Sequence, residues 1–214
     1  GGMKRMKKII LAILLLSASL MGCASEQRHT YLPEDRPALS DHSSQLRLKP
    51  DFDLQLLWSD AVLRVKVEDS GTEREAFSGS GIPIRATDFQ VKILEVWQGE
   101  EDRDTVTLSI RGGLDSGVTK PLENDELVLF LKIEAETGIY YLIDEEYSMF
   151  AVNPDGTMYA FADMDEFTAY DGMEADDFRA EIQSKLDNAP EIAEEHEGIN
   201  LSESRMYQEY VLGE

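Results

Sequence analysis

The chain has little with which to do covalent or metal chemistry. It holds one cysteine, Cys23, and three histidines, His29, His42 and His196, in 214 residues. One thiol cannot form an intramolecular disulfide or a cysteine-based zinc site. A Ser-His-Asp triad needs a histidine held beside its nucleophile, and these three fall toward the two ends, outside the strand-rich middle. Basic residues are scarce as well: 20 Lys and Arg stand against 43 Asp and Glu, for a net charge of −23. Such a surface repels phosphate and so excludes DNA or RNA as a partner. It suits cationic partners, loosely held divalent ions or plain solubility. No apolar run is long enough to span a bilayer, which takes about 20 residues; the stretch Ile9 to Leu20 falls short.

That short run is nonetheless informative. Lys4, Arg5, Lys7 and Lys8 precede it, and Leu20-Met21-Gly22-Cys23 closes it. A basic n-region, an apolar h-region and a small residue before the cut are the parts of an export signal. Gly1-Gly2 ahead of Met3 read as a cloning remnant. The tetrapeptide resembles the lipobox of bacterial lipoproteins. The resemblance implies a diacylglycerol on the Cys23 thiol, cleavage just before it, and a new N-terminus that can be acylated. The plainer reading is a signal peptide holding an ordinary small apolar cysteine. Loss of residues 1–22 removes four basic residues and no acid, which takes the net charge to −27. A lipidated Cys23 leaves no thiolate, so the exported part, without cofactor or staple, must rest on its core alone.

Residues 23–50 carry Pro33, Pro37 and Pro50 and no periodicity, which predicts a flexible stalk. Residues 51–190 predict the folded domain. Trp58 to Val67 alternates with Leu63, Val65 and Val67 on one face, as a half-buried strand does. Glu68 to Ile84, with Ser78-Gly79-Ser80-Gly81, predicts a mobile connection. Thr87 to Trp97 alternates but slips phase at Ile93-Leu94, the mark of a bulge. Thr105 to Ile110, Glu126 to Ile133 and Ile139 to Asp144 continue the series, the second of them apolar on both faces and therefore central. Met149 to Val152 and Thr157 to Ala162 flank Asn153-Pro154-Asp155-Gly156, a hairpin turn. Met173 to Asn188 spaces Phe178, Ile182 and Leu186 as an amphipathic helix, and residues 191–214 read as an acidic tail. The expectation is a mainly β, monomeric domain: a small barrel or sandwich with a C-terminal helix.

Several of these segments are similar to the bacterial relatives of the TIMP/netrin-like OB-fold. They are Ser59-Asp60-Ala61-Val62, Thr87 to Val91, Glu95-Val96-Trp97-Gln98-Gly99, Val106-Thr107-Leu108, Arg111-Gly112-Gly113, Glu126 to Leu131 and Tyr140-Tyr141-Leu142. The resemblance implies an OB-like β-barrel with an added helix. It does not carry the family's inhibitory mechanism, in which a free N-terminal cysteine amine binds a protease zinc. Here that cysteine would be lipidated, a stalk away from the barrel, with no second cysteine to brace it.

Few residues offer themselves as a site. Glu194-Glu195-His196-Glu197 lacks the His-Glu-x-x-His spacing and reads as a solvated tail. Gly156 as the sixth position of an EF-hand would put Ala151 and Ala162 where acids belong. Asp163, Asp165 and Glu166 are weak calcium candidates beside a charged helix entry. The aromatic residues Trp97, Tyr140, Tyr141, Tyr147 and Phe150 are candidates for an exposed platform that takes a peptide or glycan, unless they fill the core. The sequence therefore points to a lipid-anchored extracytoplasmic binding or scaffolding module without enzymatic activity. The alternatives are a carboxylate-based hydrolase of cell-envelope material and a protease inhibitor acting through its loops.

Overall fold

The computed structural model describes residues 28–36, 51–77, 83–196 and 199–213. The expected signal segment, Cys23, His42 and Ser78 to Gly81 lie outside the described residues. Among the described residues eight strands form one sheet: β1 (Ala61–Val67), β2 (Thr72–Phe77), β3 (Pro83–Gln98), β4 (Thr105–Arg111), β5 (Glu126–Ile133), β6 (Tyr140–Leu142), β7 (Met149–Val152) and β8 (Met158–Ala160). The order β1-β3-β4-β6-β5 closes on itself because β5 also pairs with β1. The domain is thus mainly β and built on a closed five-stranded barrel, with β4 and β6 its parallel pair.

Alternation decides what fills the barrel. Leu63, Val65 and Val67 of β1 meet Val106, Leu108 and Ile110 of β4 and Leu127, Leu129 and Leu131 of β5 in one buried cluster. The intervening residues of β5, Val128 and Phe130, are buried on the other side against the helices. A strand buried on both faces has no polar phase, as its sequence foretold. The phase slip in β3 is real too. Arg64 faces Glu95 and Val65 faces Ile93, so Leu94 is an extra residue, pushed out to solvent. Strong bends of this kind let a long strand serve both a hairpin and a barrel wall.

A helical layer covers the outer face of β1, β5, β7 and β8. It comprises α1 (Phe52–Trp58), α2 (Asp165–Thr168), α3 (Ala175–Asp187), α4 (Ala189–Glu195) and α5 (Arg205–Tyr207). The expected helix is therefore one of several short ones. Its Phe178, Ile182 and Leu186 are buried as their spacing predicts, while Lys185 pairs with Asp53 at 2.7 Å. α1 lies ahead of the first strand expected, in a stretch for which no helix was predicted. Asp51 caps it by accepting the Leu54 N–H at 2.6 Å, and Phe52, Leu54, Leu56 and Leu57 are buried, too dense an apolar run to alternate.

Two other expectations need correction. β2 lies within the segment read as a mobile connection and pairs with β3 from Thr72↔Asp88 to Phe77↔Pro83. Its polar faces hide the alternation, and cross-strand charges stabilise it instead, Arg74 with Asp88 at 2.6 Å and Arg85 with Glu73 at 3.5 Å. Residues 28–36, within the expected stalk, form a strap along β8. Arg28 Nη2 donates to the Val152 carbonyl at 2.5 Å, and Tyr31 stacks on Tyr159 at 5.2 Å. Arg36 Nε donates to the Ala160 carbonyl at 2.9 Å, and its guanidinium pairs with Asp171. Asp171 in turn accepts the Ala160 N–H at 2.8 Å. The exposed edge of the sheet is thereby capped by side chains. Toward the C-terminus, Leu201 and Met206 are buried too, and the Met206 N–H donates to the Ser59 carbonyl at 3.2 Å.

Candidate functional site

The aromatic platform does not form. Trp97, Tyr140, Tyr147 and Phe150 are all buried, with Tyr140 inside the barrel and the other three against the helices. Only Tyr141 stays partly open, its hydroxyl 3.4 Å from Arg74. Large rings at alternating positions satisfy a core as readily as a surface, and here they are the core. Trp97 is sealed by Phe178 and by the Arg179 guanidinium, 6.0 Å from its ring.

The acidic candidates are also dispersed. Glu166 accepts the Phe52 N–H at 2.6 Å and Asp163 lies 3.8 Å from Arg36, while Asp165 is exposed. Among the described residues no three His, Cys, Asp or Glu side chains converge as a metal site. His196 is not a solvated tail residue either. Its Nε2 lies 2.6 Å from Asp51 and its Nδ1 2.8 Å from the Ile192 carbonyl. Burial works against the imidazolium, but these hydrogen bonds outweigh it and raise the pKa. Among the described residues Asp144 is the one strongly raised carboxyl, pushed up to about 6 by burial and then by Glu145 and Glu146.

The constellation the sequence did not announce lies at the barrel end opposite the β4–β5 loop. There the β3–β4 turn, the end of β5 and the start of α5 enclose an open depression of about 850 Å³. Gly99 begins the turn at φ +84°, and a Cβ on it would stand 2.7 Å from the Asp60 carbonyl oxygen. Glu101 is the keystone. Its Oε1 accepts the N–H groups of Asp102 (3.0 Å) and Arg103 (2.9 Å) and the Arg103 Nε–H (2.8 Å). Its Oε2 accepts from Arg103 Nη2 at 2.5 Å and from the Tyr140 hydroxyl at 2.8 Å. Arg103 Nη1 then donates to the Gly138 carbonyl at 2.9 Å, which ties this turn to the β5–β6 loop.

Arg103, bonded to Glu101, holds that carboxyl down at about 2 despite its burial. The same bond raises the guanidinium further above its ordinary value. Burial and Glu101 push the Tyr140 hydroxyl up to about 12. None of the three exchanges a proton near neutrality, so the cluster offers fixed charge and not acid–base work. Arg205 lines the same depression, paired with Glu100 at 2.7 Å, and Val96 and Ile133 supply its apolar lining. Both arginine side chains remain about 40% exposed. Sequence reasoning passed over these residues because Gln98 to Asp104 reads as an ordinary charged turn. A Glu-x-Arg spacing in so acidic a chain is no signal.

A folded pKa lowered to about 2 makes Glu101 stabilising above its unfolded range near 4.5, and that contribution is lost as pH falls toward 2. Discounted for the partly exposed Arg103, Glu101→Gln should cost about 1–2 kcal/mol at neutral pH, with the gap closing through that window. Urea unfolding as a function of pH measures it, and a gap unchanged into acid would refute the pairing. Neither a protein-family model nor a curated protein sequence matches this chain.

Proposed function

We propose that this chain is a bacterial lipoprotein whose mature part is an OB-like, TIMP/netrin-like barrel acting as a monomeric, non-enzymatic binding or scaffolding module. Cys23 carries the lipid and confines the module to an extracytoplasmic membrane surface. One acyl chain holds a protein marginally, whereas two or three hold it firmly.

The OB-like reading is supported by the order of the ring. Taken along the chain, its five strands are β1, β3, β4, β5 and β6, with the first closing onto the fourth and the third running parallel to the fifth. OB barrels bind ligands on the face of their second and third strands and on flanking loops that include the one between strands four and five. In this chain that loop is β5–β6, which Arg103 grips through Gly138.

The observation that carries the binding function is the Glu101–Arg103–Tyr140 cluster. A carboxylate receiving five hydrogen bonds fixes one guanidinium at the mouth of a depression, beside a second guanidinium and an apolar lining. Each guanidinium is already paired and Asp102 adds a further acid to the lining, so such a mouth suits a neutral, hydrogen-bond-accepting group borne on an apolar residue or sugar of a protein, peptide or glycan. The test is made in cells with a photo-crosslinker at position 133. Adducts should form on the parent protein and vanish with Arg205→Glu, while Cys23→Ser should move the protein to the soluble fraction. Adducts indifferent to Arg205 would sink the binding site, and unchanged fractionation would sink the anchor.

A further inference from the structure

The strap fixes where a lipid on Cys23 must emerge. Only residues 24–27 separate that cysteine from Arg28, so the two Cα atoms are at most ~18 Å apart however the connection runs. Arg28 is held firmly. Its Nη2 donates to the Val152 carbonyl at 2.5 Å and its Nη1 pairs with Glu126 at 3.0 Å. Glu126 begins β5 and Val152 ends β7, so both mark one end of the barrel. From there the strap runs toward the other end, reaching Ala160 and Asp171 at Arg36.

The same end is closed by the β4–β5 loop, residues 112–125. Val118 of that loop packs on the barrel core, and Asp125 accepts the Tyr31 hydroxyl of the strap. Leu114 and Leu122 are left 52% and 51% exposed. From Arg111 to Asp125 the chain carries two basic residues, Arg111 and Lys120, against three acids, Asp115, Glu123 and Asp125, the last of them buried, in a protein of net charge −23. Asp115 is itself paired with Arg85 at 2.7 Å. A loop that carries little net exposed charge for so acidic a protein, is tipped with leucines and lies within reach of the anchor has the chemistry of a bilayer interface.

We infer that the β4–β5 loop is the membrane-facing surface of this protein, with Leu114 and Leu122 seated among the lipid headgroups. The Glu101–Arg103 depression then opens away from the membrane, toward soluble or wall-borne ligands. This orientation rests on the lipid-anchor reading.

The full-length protein is reconstituted in phosphatidylcholine vesicles with 20% phosphatidylglycerol, a chosen composition that gives the moderate negative surface of a bacterial leaflet. Leu122→Cys, Leu114→Cys and, at the opposite end, Glu136→Cys each receive a nitroxide; a lipidated Cys23 leaves no competing thiol. Labels at 114 and 122 should collide several-fold less with a polar nickel complex, and more with oxygen, than the label at 136. Equal accessibility at both ends, or fully aqueous labels at 114 and 122, would overturn the orientation. Intact mass keeps the two failures apart. A lipid mass on Cys23 with equal labels refutes the orientation alone, whereas an unmodified Cys23 on protein in the soluble fraction refutes the anchor.

Discussion

Replacing Phe150 by alanine should cost about 3–5 kcal/mol, the range for a fully buried phenylalanine. The ring is 0% exposed and sits at the centre of an aromatic cluster between the sheet and the helices. Its centroid lies 4.9 Å from Phe178, 5.9 Å from Phe130 and 6.1 Å from Phe52, with Phe167 and Tyr170 each at 6.2 Å. These partners come from β5, α1, α2, the segment following it, and α3, so one deletion opens a void that all of them border. None can move in to fill it without leaving another contact, which places the loss at the upper end for a large-to-small change. For a domain of this size the melting temperature should fall by roughly 10 °C. Phe150→Leu, which keeps most of the volume, should cost about 1–2 kcal/mol. An alanine variant within 1 kcal/mol of the parent by urea unfolding would mean that the helices are not anchored on this ring.

What the sequence made visible was whatever local periodicity controls. β5 with its two apolar faces, the slip at Ile93-Leu94 and the Asn153 to Gly156 hairpin each depend on residues a few positions apart. The strap was invisible for the opposite reason. Its partners lie more than ninety residues away, as in Tyr31 with Asp125 and Arg36 with Asp171, and no spacing rule reaches that far. β2 was missed because charge pairs, not apolar alternation, hold it to β3. The aromatic residues failed as site candidates because a ring's identity does not reveal which side of a strand it faces. Glu101 and Arg103 act through a turn that gathers backbone donors onto one carboxylate, a property of three-dimensional shape and not of residue type.

Tyr31→Ala should be the most damaging change in the strap, at about 2–3 kcal/mol, because it removes two kinds of contact at once. The ring stacks on Tyr159 and meets Phe161 edge-on at 5.0 Å. The hydroxyl donates to Asp125, a carboxyl 2% exposed that otherwise receives the Leu122 N–H at 2.8 Å. Tyr31→Phe separates the terms: it keeps the ring and leaves Asp125 short of a donor, at a cost of about 1–2 kcal/mol. The pH dependence follows from the sign of the shift. Burial raises the Asp125 pKa above its ordinary 3.8, so the folded state binds this proton more readily than the unfolded chain does. Loss of the Tyr31 donor raises it further, so the phenylalanine variant should differ least in acid and lose most as pH rises above the carboxylate range. The backbone of the strap reports separately. The Tyr31 N–H donates to Asn153 Oδ1 at 2.8 Å, and Asn153 Nδ2 returns to the Tyr31 carbonyl at 3.2 Å. If the side chain is what seats the strap, amide exchange at Tyr31 should accelerate in the alanine variant and tryptic cleavage at Arg28 should follow. In reconstituted protein the label at Leu122 should then lose its protection from the nickel complex, since the tether no longer ends at that end of the barrel. A strap that stays protected without Tyr31 would show that Arg28 and Arg36 hold it alone.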